Sequence, residues 1–160
     1  MVITCLAAII SMVSFAIWPV FLVTLGGEWK LSNVEIGWVG GAYFIGYVVA
    51  TPILVGLTDS IDAKRIFIGG SLATAIGSAA FALFADGFWT AALFRALAGI
   101  GWAGTYMTGL KLLADRVDGR MLSRATAGHA ASIGVSGALS FVLADMIASR
   151  AGWDLSLIHI

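Results

Sequence analysis

The sequence is short of charged residues, of cysteine and of any excess of one charge. Asp, Glu, Lys and Arg make up 11% of its 160 residues, whereas ordinary globular domains contain about 25%. Nine acidic and nine basic residues give a formal net charge of +0, which argues against the basic surface of a nucleic-acid-binding protein. Cys5 has no second cysteine with which to form an internal disulfide. These shortages exclude a soluble domain, a nucleic-acid-binding protein and a disulfide-stabilised scaffold.

Residues for catalysis or metal binding are also scarce. A structural zinc site takes about four Cys, His or carboxylate ligands, and the sequence has one cysteine and two histidines. Asp59 and Asp62 lie in a charged hinge without a His or Cys partner. We therefore expect no enzymatic activity, no catalytic residue, no metal and no cofactor.

Long apolar runs are what the sequence does contain. Hydrophobic residues make up 60% of the chain, and its mean hydropathy is +0.99. Five runs reach the roughly 20 residues needed to cross about 30 Å of hydrocarbon as a helix, and they lack the alternation of barrel strands. The predicted fold is all-α, a polytopic membrane helix bundle with five spans at 2–25, 34–57, 66–84, 88–113 and 125–148.

Local signals support this helical interpretation. Ser32-Asn33-Val34-Glu35 has the form of a capping box and predicts the start of the second helix. Pro19 and Pro52 fall within spans, where membrane helices tolerate kinks. Small residues four apart allow close helix contacts; they are Gly37 and Gly41, then Gly69, Ala73 and Gly77, then Gly128, Ser132 and Ser136.

The basic residues between the spans are distributed unevenly. Six fall on one side of the predicted membrane and two, Lys30 and Arg150, on the other. The side richer in Lys and Arg is normally cytoplasmic. We therefore expect an integral protein of the bacterial inner (cell) membrane with a cytoplasmic N-terminus. The six are Lys64, Arg65, Lys111, Arg116, Arg120 and Arg124.

One arginine, Arg95, lies inside the fourth apolar run. An arginine in hydrocarbon costs about 2.5 to 3.5 kcal/mol on insertion scales, so it normally lines a water-filled path or has a partner. At about 100° per residue, Arg95, Trp102 and Tyr106 share one stripe with Gly99 and Gly109. We predict that Arg95, Trp102 and Tyr106 face a central cavity and act on substrate or on a coupling proton. Packing and interface anchoring are the alternatives for the two aromatic residues.

Polar residues in the first and fifth spans give weaker signals. Ser14 and Trp18 share a stripe of the first span and are further candidates for the cavity lining. His129 lies near the cytoplasmic end of the fifth span, and we expect an interfacial histidine in contact with water, with a proton relay as the alternative.

Two segments resemble a known family. The hinge 57–65, LTDSIDAKR, resembles the loop between helices 2 and 3 of the major facilitator superfamily of secondary transporters, with Asp59 at the acidic position and Lys64 and Arg65 as the basic pair. Ser60 and Asp62 depart from the usual pattern. Residues 95–104, RALAGIGWAG, resemble the helix 4 motif of that family, in which an arginine precedes spaced glycines.

The resemblance implies a function and a domain organisation. Residues 1–154 would form part of the N-terminal six-helix half of a twelve-helix transporter, which moves a small solute by alternating access and needs its missing C-terminal half. Helices 1 and 4 would line the cavity, and Asp59, Lys64 and Arg65 would form a cytoplasmic gate. The alternative is a small non-transporting membrane subunit that packs against partner helices. A gene that ends naturally near residue 160 would favour this alternative.

The last six residues, LSLIHI, differ in character from the rest. They can be back-translated as CTG TCT CTT ATA CAC ATC, which resembles a transposon end used in sequencing libraries. We expect 155–160 to be a non-native, adapter-derived tail and exclude His159 from any site.

Overall fold

The computed structural model of the chain describes residues 2–15 and 17–151, with side chains described for 4–15 and 18–146. In these ranges the chain is helical, without strands, which confirms the predicted all-α class. The tail 155–160 and the boundary at 154 lie outside the described residues. The described helices are α1 (Val2–Met12), α2 (Ile17–Glu28), α3 (Asn33–Leu57), α4 (Ala63–Phe84), α5 (Phe88–Ala114) and α6 (Gly119–Ala151).

The first predicted span is broken. A single helix over 2–25 was wrong, because α1 ends at Met12 and α2 begins at Ile17. Pro19 accounts for the break, since proline has no N–H and its ring clashes with the carbonyl four residues earlier, here that of Phe15. In the first turn of α2 the proline is tolerated.

The remaining predicted helices agree more closely with the structure. The capping box at α3 is confirmed: the Ser32 N–H donates to Glu35 Oε2 at 2.8 Å, and the Glu35 N–H donates to Ser32 Oγ at 3.3 Å. Helix α4 starts at Ala63 because the Asp62 carboxylate accepts from the Lys64 N–H at 2.8 Å. Helix α6 starts at Gly119, six residues before the predicted start at 125.

Glycine backbones bring α3, α4 and α5 close together. A Cβ on Gly99 would meet the Tyr43 carbonyl, and one on Gly46 would meet the Ala96 carbonyl. Gly70 meets Gly101 and Gly104 in the same way on the α4 side. The predicted small-residue contacts were partly wrong, because a Cβ added at four of these glycines would meet no described atom of another helix within 4 Å. The four are Gly37, Gly41, Gly69 and Gly128.

Three described helices, α3, α4 and α6, are long and apolar enough to cross a membrane. Helix α5 has 27 residues and carries Arg95 in its interior, and it is not among these three. It packs most extensively against α3 and α4, while α1 packs mainly against α6. Large apolar side chains such as Val23 and Trp89 are 80% and 82% exposed, as expected where lipid is the solvent.

Candidate functional site

Arg95 lies inside the bundle, with 6% of its surface exposed. Its Nη1 donates to the Phe15 carbonyl at 3.5 Å, and its guanidinium carbon lies 4.6 Å from the centroid of the Tyr43 ring. That geometry is a cation–π contact. Its Nε is buried and has no hydrogen-bond partner among the described residues. A guanidinium has about five N–H donors, and the bond to Phe15 is the one hydrogen bond of this group to a described residue.

The acceptor of that bond is the carbonyl exposed by the helix break. In a continuous helix the Phe15 carbonyl would accept from the N–H of residue 19, and Pro19 has none. Arg95 donates there instead, at the long end of the hydrogen-bond range. Pro19 leaves the Phe15 carbonyl oxygen without its helical donor, and Arg95, which is distant in the sequence, supplies a donor to that oxygen.

Arg95 has no carboxylate partner among the described side chains. The ion pair found there joins Lys111 Nζ and Asp115 Oδ1 at 3.8 Å, on the exposed end of α5. Buried charges are normally paired and hydrogen-bonded, because removing a charge from water is costly. The described residues therefore leave an unpaired positive charge in the bundle, which is suited to holding an anion.

A small cavity of about 10 Å³ lies beside Arg95. This is close to the minimum size that holds one water molecule. Small-molecule pockets are about 300 to 1,000 Å³, so the described conformation is closed around Arg95. Ser78 Oγ donates to Ser14 Oγ at 2.9 Å across its wall. The lining residues are Ser14, Gly77, Ser78, Phe81, Phe94, Arg95 and Ala98.

Six aromatic rings form a cluster that meets Arg95 through the Tyr43 ring. Trp102 is central: its ring centroid lies 4.3 Å from that of Tyr47, 5.5 Å from Tyr43 and 6.1 Å from Tyr106. Its Nε1 donates to Met12 Sδ at 3.1 Å. The structure thus places the predicted residues Trp102 and Tyr106 in contact and links them to Arg95 through Tyr43. We call this set the aromatic cluster: Phe15, Tyr43, Phe44, Tyr47, Trp102 and Tyr106.

The two candidates from the first span separate at the helix break. Ser14 lines the small cavity with Arg95. Trp18 is 2% exposed and packs edge-on against Phe81 at 6.2 Å, within an apolar cluster with Phe21 and Leu25. The structure therefore does not bring Trp18 to the cavity lining.

The α3 residues Tyr43 and Tyr47 were missed as candidates. They lie four residues apart in the second span, and so on one helix face. That spacing was the available signal, but aromatic residues in membrane helices more often only pack. Their contact with Arg95 and Trp102 is what distinguishes them.

The hinge residues Asp59, Lys64 and Arg65 are exposed. Asp59 lines a groove of about 400 Å³ between the hinge and the end of α5, where Asp115 and Arg116 form the opposite wall. None of the three predicted gate residues has an ion-pair partner among the described side chains. Their charges are therefore exposed and unpaired within the described part of the chain.

His129 is not at a wet interface, so the expectation from the sequence was wrong. The residue is 0% exposed, and its ring stacks on Tyr106 with centroids 5.1 Å apart and planes 14° apart. It extends the aromatic cluster onto α6.

Comparison with known proteins gives a consistent family. The Major Facilitator Superfamily pattern matches residues 3–158. The chain is 26% identical over 132 residues to the gentisate transporter of Corynebacterium glutamicum, covering 81% of this chain and 30% of that protein. It is 23% identical over 137 residues to the niacin transporter NiaP of Acinetobacter baylyi, covering 86% and 31%.

A third relative is the uncharacterized MFS-type transporter YwoD of Bacillus subtilis, which is 30% identical over 113 residues. That alignment covers 71% of this chain and 24% of YwoD. The chain thus spans about a third or less of the length of these curated relatives.

Proposed function

Because the chain belongs to the Major Facilitator Superfamily, we propose that it is part of a secondary transporter that moves a small solute across a membrane by alternating access. The relatives named as transporters support this. In the proposal, residues 1–154 belong to the N-terminal half, and a C-terminal half of the same transporter completes the cavity. The non-transporting subunit is disfavoured by the family membership.

We propose a small aromatic carboxylate as the substrate class. The observation that carries this is the unpaired, buried charge of Arg95 next to the aromatic cluster. Arginine binds carboxylates in two-point contact through its planar fork, and aromatic rings stack on one another favourably. Gentisate and niacin, after which two relatives are named, are both aromatic carboxylic acids.

The closed cavity defines the motion that the proposal requires. A space of about 10 Å³ admits no aromatic acid, so α1 and α2 must move away from α5 before substrate reaches Arg95. Arg95 then exchanges its long bond to the Phe15 carbonyl for shorter, charge-assisted bonds to a carboxylate. The helix break at residues 13–15 supplies a point about which α1 and α2 can bend separately.

In the same proposal the hinge forms part of the gate. Asp59, Lys64 and Arg65 are exposed beside the groove at the end of α5, where they can pair with the second half in one state and separate in the other. In this proposal the substrate cavity is formed in part by Ser14, Trp102 and Tyr106. Trp18 contributes indirectly, because it packs against Phe81 and so holds in place a side chain that lines the cavity.

Substitution of Arg95 tests the substrate class. The full-length transporter, reconstituted in liposomes, should take up radiolabelled gentisate or niacin. Arg95→Lys keeps the charge but loses the fork, and we expect binding to weaken by about 1 to 3 kcal/mol, as for a lost charge-assisted hydrogen bond. We expect Arg95→Ala to bind the substrate more weakly than Arg95→Lys does.

Arg120→Ala is the matched control, because it removes an exposed basic residue at the start of α6. It should leave uptake unchanged. Normal uptake of either acid by Arg95→Ala would remove Arg95 from substrate binding. Absence of uptake of both acids by the unaltered transporter would refute the proposed substrate class.

Cysteine labelling tests the proposed orientation in the bacterial inner membrane. Both single cysteines are introduced in a Cys5→Ser background at exposed positions. A cysteine at Gly27 reports the C-terminal end of α2, and a cysteine at Ser60 reports the loop that follows α3. An impermeant thiol reagent added to intact cells should label Gly27→Cys and spare Ser60→Cys, because the basic side of the protein is cytoplasmic. The reverse pattern would invert the topology.

A further inference from the structure

His129 occupies a closed position between α5 and α6. Its ring lies against Tyr106, and a Cβ at Gly109 would come within 2.7 Å of its Cε1. Glycine at 109 therefore makes the space that the imidazole fills. No water reaches the ring in this conformation, since its exposed fraction is 0%.

The hydrogen bond of His129 determines which nitrogen can take up a proton. Nε2 lies 3.0 Å from the Tyr106 carbonyl oxygen. A carbonyl can only accept, so Nε2 carries the hydrogen and Nδ1 holds the lone pair of the neutral ring. Nδ1 is buried and has no hydrogen-bond partner among the described residues. A buried, unpartnered basic nitrogen is costly for a structural histidine, which points to a function for Nδ1.

Ring contacts connect this nitrogen to the substrate site. His129 touches Tyr106, Tyr106 touches Trp102, Trp102 touches Tyr43, and Tyr43 carries Arg95 on its face. The aromatic cluster thus has a permanent cation at one end and a titratable ring at the other. Along α5, Arg95 and Gly109 are about 21 Å apart at 1.5 Å per residue.

The charged surroundings of His129 are sparse. Among the titratable groups on the packed helices, Tyr106 is the one seen in contact with the ring. Lys111 lies about 200° around α5 from Gly109 and pairs with Asp115. The groups on described parts of neighbouring helices and of α6 itself are Cys5, Glu28, Lys64, Arg65, Arg95, Tyr106, Lys111, Arg120, Arg124 and Asp145.

We propose that His129 is a proton-binding site that couples proton movement to transport of an anionic solute, an inference that rests on the proposed function. One proton passes from hydronium to the Nδ1 lone pair when α5 and α6 part to admit water, leaving water and an imidazolium. The carboxylate in the aromatic cluster balances the new positive charge. The proton returns to water from Nδ1 on the other side of the membrane, after the solute has left.

The first test uses protons as the probe and needs no substrate. Histidine labelled with ¹⁵N is introduced into the full-length transporter in lipid nanodiscs, and the signal absent from His129→Gln is assigned to His129. We expect the Nε2–H tautomer when the ring is neutral and conversion to imidazolium as the pH is lowered. A neutral Nδ1–H tautomer, or a ring that stays neutral down to pH 5, would overturn the proposal whether or not an aromatic acid is transported.

The second test separates coupling from structure. A glutamine at 129 keeps an N–H for the Tyr106 carbonyl but cannot be protonated. In proteoliposomes, one carboxylate moving with one proton carries no net charge, so a gradient of one pH unit drives about tenfold accumulation of gentisate or niacin. His129→Gln should lower the ratio of internal to external acid to about one, while the exchange of labelled for unlabelled acid is retained. Protein-free liposomes serve as the blank.

Thr126→Ala is the matched control, since it removes a polar side chain of α6 three residues before His129 whose hydroxyl donates to the Leu122 and Ser123 carbonyls of its own helix. It should accumulate substrate as the unaltered transporter does. Unchanged accumulation by His129→Gln would overturn the proposal. Loss of both accumulation and exchange by His129→Gln would also overturn it, because His129 would then be a structural residue.

Discussion

Helix α5 meets its neighbours in two different ways. Towards α3 and α4 it makes backbone contacts through glycines, among them Gly99 against Tyr43 and Gly101 against Thr74. Towards α1 and the segment that follows it, α5 makes two isolated hydrogen bonds, from Trp102 to Met12 Sδ and from Arg95 to the Phe15 carbonyl. Backbone contact at this distance leaves no freedom to slide, whereas single side-chain bonds exchange readily. The α3–α4–α5 unit is thus the rigid part, and α1 with α2 is the part that can move.

The glycine contacts should give the largest effect on stability. Gly99→Ala places a methyl group against the Tyr43 carbonyl, and overpacking of this kind costs about 1 to 3 kcal/mol. Gly41→Ala is the matched control on α3, because nothing lies within 4 Å of its added Cβ among the described residues. Thermal unfolding of the full-length protein in detergent measures both. Equal stability of the two variants would contradict a rigid α3–α5 contact.

The helix break should matter more for transport than for folding. Pro19→Ala supplies the missing N–H to the Phe15 carbonyl, so it competes with Arg95 for that acceptor and favours one continuous helix. Alanine is the better helix former, by up to about 3 kcal/mol in a helix interior. We therefore expect unchanged or raised stability together with slower uptake. Faster or unchanged uptake would show that the break is not part of the moving region.

The smallest effect is expected at the hydroxyl pair that joins the segment after α1 to α4. Ser14 and Ser78 share one hydrogen bond beside the cavity, and such a bond contributes about 0.5 to 1.5 kcal/mol. Ser14→Ala, Ser78→Ala and the double variant form a cycle that isolates the interaction. A coupling energy well above that range would mean that α1 is held as firmly as α3 and α4 are.

The sequence predicted features that depend on neighbours along the chain. The capping box of Ser32 and Glu35 and the shared face of Arg95, Trp102 and Tyr106 needed only helical geometry. The break at Pro19 could not be predicted in the same way. Whether proline kinks or interrupts a membrane helix depends on which group satisfies the freed carbonyl, and here that group is Arg95, distant in sequence.

The errors at His129 and the glycines have related physical causes. Helix α6 begins six residues before the predicted start. At 1.5 Å per residue, His129 therefore lies about 9 Å further from the N-terminal end of its helix than predicted. Gly46 of α3 lies against Ala96 of α5, whereas a Cβ added at Gly41 would meet no described atom of another helix. Which of the two glycines faces α5 depends on the rotation of α3 about its axis. Tertiary packing determines that rotation, and the spacing of small residues within one helix cannot show it.

The glycine contacts also make α3, α4 and α5 act as a lever. A unit without internal sliding transmits a tilt along its whole length. Arg95 and Asp115 are about 30 Å apart along α5, so a tilt of about 10° about the groove at the hinge displaces the region of Arg95 by about 5 Å. That displacement is comparable to the thickness of an aromatic ring with its contacts. In the proposed transport cycle, such a tilt follows a small change in the charges around Asp59 and gives an opening large enough for a planar solute.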